Sequence, residues 1–221
     1  MPSCAAIGLA LGDWAPSRKS PYCGYSATSL LAEGGRRPSK SSVVQTQPIL
    51  PVATNVELRL LHAGDADELH ALIVKNLDRL KPWFDWVHDD YSPGETAEFL
   101  RLCEERLQAR ADFSYGIRRG SELIGVTGLH KIDWGNRIAR IGYWLDRDAT
   151  GDGIVTKSVR VLVRYAFEEL LLHRIEIRCA PDNAASRAVP ERLGFAMEGE
   201  HRDVLRLRDR YQSLKMYALL R

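Results

Sequence analysis

Cysteine, net charge and long apolar runs are all scarce in this chain, and each scarcity closes off a class of protein. Its 221 residues include four cysteines, Cys4, Cys23, Cys103 and Cys179, far apart and without metal-ligand spacing. That argues against a disulfide framework or a zinc site and for reduced thiols in a cytoplasmic protein. Lysine and arginine number 31 against 29 acidic residues, a net charge of +2, so no electrostatic footprint of a nucleic-acid binder is present. No apolar run approaches the roughly 18 residues that a membrane span needs. What remains is ordinary globular composition, 45% hydrophobic and 27% charged, in a chain long enough for one domain with an appendage.

The appendage is residues 1–53. It lacks acids, with only Asp13 and Glu33 against Arg18, Lys19, Arg36, Arg37 and Lys40, and it lacks any periodic apolar pattern. Rich in Ser, Gly and Pro, it reads as a disordered leader. The stretch "CAAIGLALG" has no basic residues before it, as a secretion signal would. An organelle transit segment and a start codon set too far upstream remain alternatives.

From residue 54 the chain is orderly. "GDADELHALIVKNLDRL" spaces Leu69, Leu72, Ile73 and Leu77 on one helical face, with Asp65 as a candidate cap. "SPGETAEFLRLCEERLQARA" is a second helix, opened by Ser92 and Pro93. Strands are expected over 113–119, 122–133 and 139–146, with turns at Arg119-Gly120 and Gly135-Asn136, in an antiparallel meander. A helix with Val155, Val159, Leu162, Ala166 and Leu170 on one face follows, then a strand over 174–180. "NAASRAVPERLGF" is a short helix stopped at Gly194, and a strand pair near 196–204 and 212–220 ends the chain. The order implies an α+β fold, a mixed sheet flanked by helices.

The stretch "YWLDRDATGDGIVTKS" runs from strand to a two-glycine turn to helix, the arrangement that holds phosphates on backbone amides. It fails the triphosphate and dinucleotide loops at one position, because Thr156 stands where each needs a glycine. Asp152 between the glycines carries the wrong charge for a phosphate, which an amide cradle tolerates if the side chain faces solvent.

These residues, with "PWFDW", "IGYWLD", "YAFEEL", "NAAS", "ERLGF" and "EG" in one order, make residues 54–221 resemble the GNAT superfamily of acyl-CoA N-acyltransferases. The likeness is greatest to the branch that acetylates ribosomal-protein N-termini. It implies a mostly antiparallel sheet with helices on both faces and a splayed parallel strand pair that holds acetyl-CoA. In that frame the backbone of Tyr143 and Leu145 binds pantetheine, and Thr150, Gly151, Asp152, Gly153, Ile154, Val155 and Thr156 form the pyrophosphate turn. Asn183 holds the pantetheine arm, and Ser186 protonates or stabilises the departing sulfur. Pro190, lacking an N–H, is expected to leave the Ser186 carbonyl unpaired and kink that helix.

The resemblance implies direct acetyl transfer to a primary amine, on a protein N-terminus or a small molecule, without a metal. No nucleic acid or membrane enters, and a homodimer stays open. Trp83, Phe84 and Trp86 are candidates for the acceptor wall, two of them at least as core packing. The base is not legible: Leu205 stands where the branch carries a glutamate, leaving Glu198, Asp203, His130, His201 or water. A catalytically silent CoA-binding sensor or scaffold is the rival reading.

Overall fold

The computed structural model describes residues 49–221, so the leader expectation lies largely outside the described residues. Its last four residues depart from it: Leu50–Ala53 form strand β1, antiparallel to β2 (Val56–Leu60). Leu50 and Val52 alternate onto the core, and Pro51 is tolerated because β1 is an edge strand. The ordered domain therefore starts at least four residues earlier than composition suggests.

The chain continues through α1 (Ala66–Lys75), α2 (Leu77–Leu80) and α3 (Pro93–Gln108) to the meander β3 (Phe113–Arg119), β4 (Glu122–Asp133) and β5 (Ile138–Leu145). Then come α4 (Ile154–Glu168), β6 (Arg174–Cys179), α5 (Ala184–Arg192), and the hairpin β7 (Ala196–Leu207) and β8 (Arg210–Leu220). The eight strands form one sheet in the order β1-β2-β3-β4-β5-β6-β8-β7, and only β5 and β6 run parallel. Leu58, Tyr115, Ile141, Ile175 and Ile177 pack on one face with Val155, Val159 and Leu162 of α4. On the other face Val126, Trp144 and Leu214 pack with Leu69 and Ile73 of α1 and Leu100 of α3.

Two local details place the site. The expected single helix over α1 and α2 breaks at Asn76, whose Nδ2 donates to the Leu72 carbonyl and to Asp146 Oδ1, both at 2.9 Å. Lys75 Nζ donates to the same carboxylate at 2.6 Å, so the end of β5 is tied to the helix pair. Burial pushes the Asp146 carboxyl up, but these hydrogen bonds outweigh it and hold the group below the usual carboxylate value. Asp65 stands at the N-cap of α1 but makes no side-chain cap bond to it: its carboxylate accepts from the His62 amide at 2.9 Å and from Arg118 Nη2 at 2.6 Å.

Candidate active site

Parallel pairing of β5 with β6 covers three steps, from Ile138↔Arg174 to Arg140↔Glu176, and then stops. Beyond it β5 stays paired with β4 as far as Leu145, and β6 with β8 as far as Cys179. The two strands thus part over Ile141–Leu145, and a cleft of about 670 Å³ lies at the open end. Leu145, Thr150, Gly151, Gly153, Ile154, Val155 and Thr156 line it. Gly151 and Gly153 have φ of +107° and +68°, and a Cβ on either would meet no atom within 4 Å. Both need the left-handed freedom of glycine, and both leave the backbone open to the cleft. Gly153 caps α4, whose first turn holds no acid, so the helix presents its amides and positive end there.

Asp152 does not line this cleft. Its side chain is 73% exposed and lies 3.3 Å from Arg119 Nη2. Three cations that the motif reading did not assign to the turn do line it: Lys157, Arg160 and Arg192. Lys157 and Arg160 follow Gly153 at helical spacing, so the periodicity of α4 was the available signal; Arg192 reaches the cleft only through the packing of α5.

Ser186 and Asn183 are not where the sequence reading puts their side chains. Ser186 is fully buried, and its Oγ donates to Cys179 Sγ at 3.1 Å. Asn183 is 4% exposed and caps α5, Oδ1 accepting from the Ser186 amide at 2.9 Å. The cleft is lined instead by Ala184, Ala185, Ala188 and Val189 of α5. Pro190 does deprive the Ser186 carbonyl of its helical donor, but the carbonyl is not left unpaired: Tyr143 Oη donates to it at 2.9 Å. Burial pushes the Cys179 thiol up to about 12 and raises Tyr143 well above its ordinary value, so this group is neutral around pH 7.

The opposite face of the splay carries the aromatic loop. Phe84 is core, with ring centroids 5.4 Å from Trp86, while Trp83 and Trp86 are half-buried against the same cluster. The indole N–H groups of Trp86 and Trp144 have no hydrogen-bond partner among the described residues. The β7–β8 hairpin reaches over this loop: Arg208 donates to the carbonyls of Lys81 (2.8 Å) and Val87 (2.6 Å), and Arg210 to that of Pro82 (3.2 Å). Leu205 packs against the aromatic cluster. None of the base candidates lines the cleft. Glu198 is paired with Arg174 at the closed end, His130 is buried 3.8 Å from Asp112, and His201 and Asp203 are exposed on the edge strand β7.

A family profile described as an acetyltransferase (GNAT) domain matches residues 55–196. The chain belongs to the GNAT acetyltransferases. YdaF of Bacillus subtilis (strain 168), whose name assigns it provisionally to ribosomal N-acetylation, is 38% identical over 171 residues, 77% of this chain and 93% of that protein. The ribosomal-protein-serine acetyltransferase of Escherichia coli (strain K12) is 30% identical over 172 residues, 76% of this chain and 94% of its own length. A solved structure of RimL, a ribosomal L7/L12 alpha-N-protein acetyltransferase in complex with coenzyme A, superposes with a TM-score of 0.75 at 32% identity. That match spans 78% of this chain and 98% of RimL. The chain is accordingly an N-acetyltransferase that uses acetyl-CoA as cosubstrate and an amine as acceptor. Among the described residues no group of His, Cys, Asp or Glu side chains is placed to hold a metal ion, and no helix is long and apolar enough to cross a membrane.

Proposed function

We propose that the acceptor is the α-amino group of a protein N-terminus, as in the ribosomal-protein acetyltransferases that the chain resembles. The observation that carries this is the likeness to the ribosomal-protein-serine acetyltransferase and to RimL over 94% and 98% of their lengths. An α-amine with a pKa of about 7.7–8.0 is about 30% neutral at pH 7.5, whereas a lysine-type amine near 10.4 is about 0.1% neutral. A site that leaves deprotonation to water favours the first by more than two orders of magnitude. A ribosomal-protein acceptor also agrees with the cytoplasmic location expected from the cysteines.

Pantetheine then lies between the parted strands against the backbone of Tyr143 and Leu145. The pyrophosphate sits on the amides of 151–156, and Arg160 and Arg192 lie beside the phosphates. Asn183 and Ser186 act by fixing α5 as a wall of this slot. The acceptor enters from the Trp83, Trp86 and Trp144 side, under the hairpin held by Arg208, and attacks the thioester directly. The sulfur leaves as a thiolate, which solvent can protonate without a dedicated acid.

The test is release of CoA thiol and a 42 Da gain on peptides beginning Ser or Ala, against the same peptides blocked at the N-terminus but carrying a lysine. Transfer to the free N-terminus alone is expected. Equal transfer to the lysine would refute the assignment, and CoA binding without transfer to any amine would favour a silent sensor.

A further inference from the structure

The face of the sheet that carries Trp144, Ala180 and Leu214 changes character toward the closed end of the β5–β6 pair. On β6, Arg174, Glu176 and Arg178 alternate with the buried Ile175, Ile177 and Cys179, so the charged residues share the face of Ala180. One carboxylate serves three arginines: Glu176 lies 2.9 Å from Arg174 Nε, 3.4 Å from Arg140 Nε and 3.5 Å from Arg178 Nη2. Arg174 is further held by Glu198 at 2.8 Å. Arg178 has only its loose share of Glu176; its side chain is 19% exposed, and its Nε is buried without a hydrogen-bond partner among the described residues.

The crowding is electrostatically unfavourable. Burial and the charge of Arg140 together hold Arg178 below the ordinary arginine value. Burial, then Arg140 and Arg178, likewise depress Lys131 at the end of β4. Like charges gathered in a half-buried place cost stability unless an anion joins them. Arg140 is three residues along β5 from Tyr143, roughly 10 Å at 3.3 Å per residue. An extended peptide whose amine sits in the splay covers that distance in about three residues.

We propose that Arg178, with Arg140 and Lys131, is an acceptor-specificity site for a carboxylate, so that the preferred N-terminal segment is acidic at its second to fourth residue. The proposal rests on the N-terminal acceptor reading above and names the sequence class which that site takes. A carboxylate there adds a charge-assisted partner to the guanidinium of Arg178, which otherwise has its 3.5 Å share of Glu176. A basic or polyamine acceptor meets repulsion.

Two readouts separate this proposal from the reading beneath it. Fluorescent peptides Ser-Ala-Asp-Glu and Ser-Ala-Asn-Gln, each on a common neutral tail, are titrated against CoA-loaded protein by anisotropy, and their acetylation rates are compared. The acidic peptide is expected to bind and react at least tenfold better at low salt. Arg178→Gln is expected to cut that ratio below threefold, and Arg178→Lys to retain most of it. Equal affinity for the two peptides, or an undiminished ratio in Arg178→Gln, would overturn the proposal. Binding of the acidic peptide without acetylation would refute the N-terminal acceptor reading and still uphold the anion site.

Discussion

The two sides of the splay are built from different materials. The cofactor side is mainly backbone: a turn with two glycines at positive φ, the start of α4 and an alanine-rich stretch of α5. The side proposed for the acceptor is mainly side chains, drawn from the 81–87 loop, the ends of β5 and β6 and the hairpin tip at Arg208. A backbone site is short in sequence and tolerates changes of side chain, which is why Thr150 can line it and Asp152 can stand in the same turn with its side chain exposed. A side-chain site is gathered from distant segments, and each substitution in it alters what it accepts. The cofactor should therefore be shared across relatives while the acceptor varies.

Perturbing one side at a time tests this division. The largest effect is expected from Gly153→Val. A branched residue at φ +68° is strained and projects into the cleft, so acetyl-CoA affinity by calorimetry should fall at least about 100-fold. Next, removing two phosphate-side charges in Arg160→Gln/Arg192→Gln should weaken acetyl-CoA about 30-fold but dephospho-CoA much less, if the cations serve the 3′-phosphate. On the other side, Arg208→Ala releases the hairpin from the Lys81 and Val87 carbonyls. It should raise KM for a peptide acceptor about tenfold and leave KM for acetyl-CoA unmoved. The smallest effect belongs to Ser186→Ala. Its hydroxyl is engaged with Cys179, so turnover should change less than about threefold. A loss of a hundredfold there would restore Ser186 as the proton donor and erase the division at its centre.

The same division explains what could be read from the sequence. The strand–turn–helix from Tyr143 to Ser158 is contiguous, so glycine spacing and helical periodicity made its elements legible, and Leu145, Thr150, Gly151 and 153–157 of it line the cleft. The meander strands were legible because Gly120 and Gly135 mark their turns. Strand β1 was not, because four residues with a proline carry too little pattern and their order comes from pairing with β2. Ser186 was misplaced for a related reason. One turn of spacing puts Asn183 and Ser186 on one face of α5, but which way that face points is decided by packing against Cys179 and Tyr143. The shared carboxylate of Arg140, Arg174 and Arg178 joins strands 36 positions apart in the chain and leaves no local signal.

The central claim is that the cofactor side does its work with the backbone while the acceptor supplies its own neutral amine. The pH dependence of kcat/KM for a serine-initiated peptide tests it most directly. The rate should rise about tenfold per pH unit and level off at the amine pKa of the peptide itself, near 8. It should shift in step when peptides of lower or higher amine pKa are used. A profile that levels off near pH 6 to 7 for every peptide would reveal a base belonging to the enzyme and contradict the account.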